Sequence, residues 1–511
     1  MPQPAAHLLP LLIGLAACAT EASVQELGEA PQAVLPNIVL ILADDMGWGD
    51  VGCYSQESLV PTPALDSLAA SGLRFTDAHS PSSVCSPTRY GILTGRYAWR
   101  SELKRSVVWE WGRPLIEDER TTLPEMLQAR GYRTACIGKW HLGWTWLDSK
   151  GNSVNDEVPF WPRSSPARAQ AAARIDFDQG LRNGPTTHGF DTYFGDDVPN
   201  FPPRAWIRDD KLLDAPTQSK PEGMFGSAGP TTPGWDLALV MPRLAQEAVQ
   251  YIEGQKASDR PFFLYLPLTA PHTPIAPSPE FVGSTPAGAY GDYVAEVDWV
   301  VGRVLQALER SALDKDTVIL FTSDNGSPAR DGTGMSGPLG SVTRRFGHNP
   351  NASWRGYKAD AWEAGHRIPM IVRWPGRTTG GQQSQALVGL QDIYATLAQA
   401  LTLTVQPGEG LDSVSFLPVL HDPQAPGRKG IIHHSLDGTF AVRQGPWKLI
   451  EGNLGSGGFS RPSRVEPGPD DPGGQLYNLN NDPAETTNLW KEFPERVVEL
   501  QALLAAARKL Q

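Results

Sequence analysis

Apolar runs of strand length recur along the chain at 36–43, 132–138, 261–268, 317–323 and 368–374. Each is bounded by Pro, Gly or acidic residues, and most lack the polar alternation of a half-exposed strand. That is the pattern of strands buried on both faces, and hence of a parallel sheet. Between them, 63–72, 121–131, 237–255, 293–310 and 387–403 read as helices; in the fourth, Val294, Val297, Val301, Val304 and Leu308 mark one face. Strand and helix alternate, so the chain is predicted to be α/β. Beyond about residue 422 the pattern changes to short β segments at 430–434, 439–443 and 447–451, followed by a Leu- and Ala-rich helix at 495–509 entered through Pro494. We therefore expect a large domain over 36–425 and a smaller C-terminal α+β domain over 426–511. The stretch 144–235 is rich in Gly, Pro, Arg and Trp with weak periodicity, and is expected to form loops rather than core. Arg204, Trp206 and Arg208 in it would suit a sugar ring or an anionic substituent, although scattered surface Arg and Trp fit them as well.

Length and charge narrow the picture. With 511 residues and 40% hydrophobic content the chain can bury a sizeable core. Its formal net charge of -12 argues against nucleic acid as a partner, which needs a basic face. An anionic substrate must therefore be attracted locally. The four cysteines, Cys18, Cys53, Cys85 and Cys136, show no CxxC or disulfide spacing. The apolar segment 8–17 is too short to span a bilayer and has the length of a signal-peptide core, although no Lys or Arg precedes it. It ends in Leu15-Ala16-Ala17-Cys18, which resembles a bacterial lipobox with Cys18 as acylation site; ordinary signal cleavage suits the same small residues. We expect export, to the periplasm, the outer membrane as a lipoprotein, or the medium, with leader 1–18 and linker 19–35. No other stretch is apolar enough to span a membrane.

The candidate chemistry gathers where elements begin and end. In Cys85-Ser86-Pro87-Thr88-Arg89, the proline places Cys85 at a helix entrance, where free N–H groups favour an anion, and Arg89 lies one turn on. Asp44-Asp45 follows the first strand, with Gly47 and Gly49 read as its turn, and Asp324-Asn325-Gly326 repeats this after the strand at 317–323. Four oxygen donors with no thiol or imidazole suit a hard cation, calcium before magnesium; turns without metal fit each acid pair taken alone. Lys139 and His141, two apart, are expected on one face of a strand end. His272 lies between Pro271 and the Thr273-Pro274 pair, and Lys358 follows a glycine-rich loop. Asn351-Ala352-Ser353 matches a glycosylation acceptor too short to weigh.

The run 83–89, continued by Leu93-Thr94-Gly95, resembles the type I sulfatase signature, and 131–141 resembles that family's second signature. Together with Asp44, Asp45, His272, Asp324, Asn325 and Lys358 in order, the resemblance covers nearly the whole chain after the leader. It implies an alkaline phosphatase-like fold: a large mixed, mostly parallel sheet sandwiched by helices. It also implies hydrolysis of a sulfate monoester, either an aryl sulfate or a sulfated carbohydrate. In that family the motif cysteine, here Cys85, is oxidised by a formylglycine-generating enzyme, and the hydrated aldehyde is the nucleophile. The resemblance assigns calcium to Asp44, Asp45, Asp324, Asn325 and modified Cys85. It assigns the hydroxyls of the hydrate to His141, the leaving oxygen to His272 and Lys358, the steadying of the hydrate and metal ligands to Arg89, and the sulfate to Lys139. A phosphonate monoester or phosphodiester hydrolase of the same superfamily is the first alternative. A non-catalytic lipoprotein that binds sulfated glycans is the second.

Overall fold

The computed structural model describes residues 35–510, together with Met1. The expected leader, the Cys18 acylation site and the linker before Leu35 lie outside the described residues. Among those described, no helix is long and apolar enough to cross a membrane.

A ten-stranded sheet forms the centre of the molecule. Its strands are β1 (Asn37–Asp44), β2 (Leu73–Phe75), β3 (Arg133–Ile137), β4 (Thr192–Gly195), β5 (Ile207–Arg208), β6 (Lys211–Leu212), β7 (Phe262–Pro271), β8 (Thr317–Ser323), β9 (Met370–Arg373) and β10 (Gln382–Ser384). They lie in the order β10-β2-β9-β8-β1-β7-β3-β4-β5-β6. The middle is parallel: β1 pairs with β8 on one side and β7 on the other, and β7 with β3. Antiparallel pairing enters at β8/β9, β9/β2, β4/β5 and β5/β6. Every residue of β1, β7 and β8 is buried, as their uninterrupted apolar sequences require.

Helices α1 (Pro63–Ser71), α2 (Cys85–Thr94), α3 (Leu123–Ala129), α4 (Val240–Gly254), α5 (Gly288–Arg310) and α6 (Asp392–Ala400) cover the sheet. Val39, Ile41 and Ala43 of β1 share a core with α1, α4 and α5. Period-2 alternation turns Ile38, Leu40 and Leu42 to the other face, the side where α3 meets β3 and α2. A separate four-stranded antiparallel sheet follows, β11 (Gly430–His434), β12 (Phe440–Gln444), β13 (Trp447–Glu451) and β14 (Gly474–Asn478), packed against α7 (Pro494–Lys509).

Three sequence expectations change. The stretch 144–235 is not mere loop: Trp144, Trp146, Tyr193 and Phe194 are buried, and it contributes β4 to β6 to the sheet. Within it, Arg204 is 1% exposed, Arg208 pairs with Glu247 and Trp206 stacks on Phe194, so all three are packing residues. The helix expected over 387–403 begins only at Asp392, because Val388–Gly389 pairs with Ala78–His79 instead. Asn351 is buried, with its amide bonded to the backbone of Ser327 in both directions.

Candidate active site

The carboxyl ends of β1, β7 and β8 and the entrance of α2 meet at one place, where open α/β sheets bind ligands. Asp44 ends β1. The turn that follows is not made by Gly47 and Gly49, as the sequence suggested, but by Asp45 itself, with φ 69°. Asp tolerates this left-handed conformation better than most residues. The two glycines serve a close approach instead: a Cβ on Gly47 would lie 2.2 Å from the carbonyl oxygen of Pro350.

Cys85 opens α2, preceded by extended Val84, and left-handed Gly95 closes it. Helix entrance and flanking loops are tied together: Ser83 N–H donates to His434 O at 3.1 Å, Ala359 N–H to Ser83 O at 2.8 Å and Val108 N–H to Ser86 Oγ at 3.0 Å. Lys139 and His141 do not extend a strand, because β3 stops at Ile137. Gly138 (φ 128°) and His141 (φ 57°) break the period-2 alternation, which is why sequence spacing could not give their directions. A Cβ on Gly138 would lie 1.9 Å from Pro267 O.

All ten residues singled out in the sequence converge. Lys139 Nζ sits 2.5 Å from Asp44 Oδ2 and Lys358 Nζ 2.6 Å from Asp45 Oδ1. Arg89 does not reach back to Cys85; it donates to Asp324 Oδ2 at 2.7 and 3.2 Å and to Lys139 O at 2.9 Å. Cys85 Sγ lies 3.6 Å from Asp44 Oδ1 and 3.3 Å from Lys358 Nζ. Asn325 donates to Asp45 Oδ1 at 2.7 Å. His272 Nε2 is 3.8 Å from Asp45 Oδ2, which puts an imidazole at the edge of the acid cluster.

Burial and charge set the protonation states. Burial works to raise Asp44, but Lys139, Arg89 and Lys358 prevail and hold it below the usual carboxylate range. Asp45 goes the other way: burial pushes it up to about 6, Lys358 opposing and Asp44 and Asp324 adding to the rise. Burial lifts the Cys85 thiol to about 12, with Asp324 adding and Lys139 and Lys358 opposing. Burial and the surrounding cations keep both histidines well below their ordinary value, hence neutral. His141 Nε2 lies 2.9 Å from Val108 O, an acceptor only, so Nε2 carries the proton and the unpartnered Nδ1 is the free lone pair. By the same logic His272 Nδ1–H donates to Thr273 O, leaving Nε2 free.

Asp44, Asp45 and Asp324 oppose Arg89, Lys139 and Lys358, three charges against three. The buried Asn325 Oδ1 has no partner. An orphan amide oxygen beside three carboxylates, one of them pushed up by burial with its acidic neighbours adding, fits a hard divalent cation. Such a cation would leave the site net positive.

The family model described as Sulfatase matches residues 36–403. The chain belongs to the sulfatase family. An N-acetylgalactosamine-6-O-sulfatase of Bacteroides thetaiotaomicron is 31% identical over 523 aligned residues, covering 98% of this chain and 99% of that protein. A steryl-sulfatase of Mus musculus is 31% identical, covering 99% and 87% respectively. A solved structure from work on glycosaminoglycan metabolism by Bacteroides thetaiotaomicron superposes with a TM-score of 0.77 at 29% identity, covering 93% of this chain and 99% of that one. The protein is thus a sulfuric ester hydrolase with an alkaline phosphatase-like fold.

Above the cluster this sulfatase has a cavity of about 540 Å³. Asp45, Cys85, His141, His272 and Lys358 line its floor; Asp44, Arg89, Lys139, Asp324 and Asn325 are not in its lining and are fully buried. Sequence reasoning missed the wall, which includes Arg105, Trp109, Trp161, Phe201, Arg330 and Phe459. Apart from Arg105 and Trp109, these residues come from stretches far apart in the chain, so no motif could reveal them. It also missed the relay from Ser86 through the Val108 peptide to His141, which depends on a backbone group and leaves no trace in residue type.

Proposed function

We propose that this sulfatase hydrolyses a sulfate ester on a carbohydrate, with Cys85 converted to formylglycine and calcium held by Asp44, Asp45, Asp324 and Asn325. The observation that carries the reading is the Cys85 sulfur on the cavity floor, 3.6 Å from Asp44 and 3.3 Å from Lys358. A thiol pushed up to about 12 is a poor nucleophile near neutral pH, which supports conversion rather than use as a cysteine. Formylglycine at this position supplies an oxygen nucleophile and a second hydroxyl through which sulfate is released. Bound calcium would supply Lewis-acid charge for the reaction.

The chain's own residues do the rest. His141 Nδ1 accepts a proton from a hydroxyl at position 85, its orientation fixed by Val108 O. Lys358 Nζ neutralises charge on the sulfate, and His272 Nε2 faces the leaving oxygen. Lys139 and Arg89 hold Asp44 and Asp324 in place behind the floor. A formylglycine-generating enzyme acting on 85–89 is the maturation partner, and export precedes encounter with a polymeric substrate. The cavity size and the amino-sugar sulfatase named above favour a sugar over a simple aryl group.

The test is sulfate release from sulfated saccharides, an aryl sulfate and a phosphonate monoester, using protein co-produced with the maturation enzyme. Cys85→Ser, in a host that modifies only cysteine, is expected to lose about three orders of magnitude or more in turnover while staying folded. Retained activity in that variant, or faster cleavage of the phosphonate, would overturn the reading.

A further inference from the structure

The cations nearest Cys85 are already matched, since Arg89, Lys139 and Lys358 each meet an aspartate. The cavity wall holds two more arginines, Arg105 and Arg330. Among the described residues neither lies within 4.0 Å of a carboxylate, whereas surface arginines such as Arg113, Arg163 and Arg310 find one. Arginines without a carboxylate partner are common among the described residues; what sets Arg105 and Arg330 apart is that both line the cavity above Cys85.

Their settings differ. Arg330 comes six residues after Asp324, is half-buried, and donates to the carbonyl of Gly337. Arg105 is exposed, in the segment after α2, where Ser106 N–H donates to Leu436 O at 2.8 Å. The one acid on the upper wall, Asp437, is occupied: its Oδ1 accepts from Ser435 Oγ at 2.8 Å and Thr439 Oγ1 at 2.7 Å, and Arg464 lies 3.5 Å from Oδ2. Trp109, Trp161, Phe201, Phe225 and Phe459 add aromatic surface to the wall. Trp161 is 51% exposed, the only aromatic among the exposed large hydrophobic residues described, and it borders this cavity. An exposed indole beside a cavity offers a face for the C–H side of a sugar ring. The volume of about 540 Å³ also exceeds what a sulfate group needs and lies in the range of sites that enclose a whole small ligand.

We propose that Arg330 and Arg105 bind a second anionic group of the substrate, a carboxylate or a further sulfate on the saccharide that carries the scissile ester, with Trp161 stacking on its neighbouring ring. This rests on the sulfatase reading of the same cavity and names its substrate class: a multiply charged sulfated oligosaccharide. Guanidinium groups suit either anion, because their paired N–H groups match two oxygens of a carboxylate or a sulfate.

Three disaccharides separate the sources: one neutral apart from a single sulfate, one with the same sulfated sugar joined to a uronic acid, and one disulfated. Binding is measured by calorimetry on Cys85→Ser, which cannot turn over, so the ranking is readable even if no sulfate release is found. kcat/KM is measured on the mature enzyme. At least one charged disaccharide is expected to bind about tenfold or more tighter than the neutral one, the size of one charge-assisted contact. That preference should shrink with added salt, fall to near parity in Arg330→Ala and Arg105→Ala combined, and persist in part in Arg330→Lys. Equal binding of all three disaccharides, or an arginine effect of the same factor on each, overturns the proposal. Absence of sulfate release alongside an arginine-dependent preference in binding would instead count against the sulfatase reading and leave the anion site standing.

Discussion

Asp45 concentrates the physics of the site. Its left-handed backbone turns the chain out of β1, its carboxylate meets Lys358, and its burial lifts it to about 6. A bound divalent cation would reverse that rise by adding positive charge beside Asp44, Asp45 and Asp324. Calcium should therefore stabilise the fold as well as serve the chemistry. We expect removal of calcium with a chelator to lower both Tm and sulfate release, and readdition to restore both. Asp45→Asn should abolish the calcium-dependent Tm shift, and an unchanged Tm after chelation of the parent would count against a metal at Asp44, Asp45, Asp324 and Asn325. The acids of the cluster were legible in sequence because they follow buried apolar runs, where a polar residue has no role in packing. The directions of Lys139 and His141 were not, because positive φ angles at Gly138 and His141 undo the periodicity from which facing is inferred.

Among elements, β1, β7 and β8 were read nearly to the residue, since burial on both faces leaves an unbroken apolar signal. Short strands such as β4 and β14 were missed because four or five residues with polar ends cannot be told from loop. Strand β11 carries a further consequence. His434 is buried next to the Cys85 loop, and both ring nitrogens lack partners. Burial lowers it from 6.5 to about 4, with the Ser435 backbone opposing. Between those values the unfolded chain binds a proton that the folded ring refuses, so the stability due to His434 is whole above pH 6.5 and is lost as pH falls toward 4. From pH 7 to pH 5 this single ring should cost about 2 kcal/mol. Other buried groups titrate in the same range, Glu296 in the opposite sense. The check is therefore a difference: denaturant unfolding at both pH values should show that His434→Gln loses less stability on acidification than the parent. An equal loss in both proteins would refute the assignment.

At the scale of the molecule, the C-terminal sheet is fastened to the large sheet's surroundings by buried charge. Lys448 of β13 meets Glu363 at 3.2 Å, Glu485 at 2.9 Å and His366 Nε2 at 3.0 Å, all without exposure. Lys448→Met would leave two buried acids without their shared cation, and we expect a loss of about 3–5 kcal/mol in chemical unfolding. A change below 1 kcal/mol would mean that the ion network contributes little. None of this network was visible in sequence, because its members come from three segments far apart in the chain, only Glu363 and His366 sharing a helix. The cavity floor that this framework supports was visible, because its residues belong to compact motifs. Mass spectrometry of the peptide containing Cys85, from protein made in a host able to install formylglycine, tests the central claim most directly. The account predicts formylglycine or its hydrate at position 85. An intact thiol alone, in protein that still releases sulfate, would contradict it.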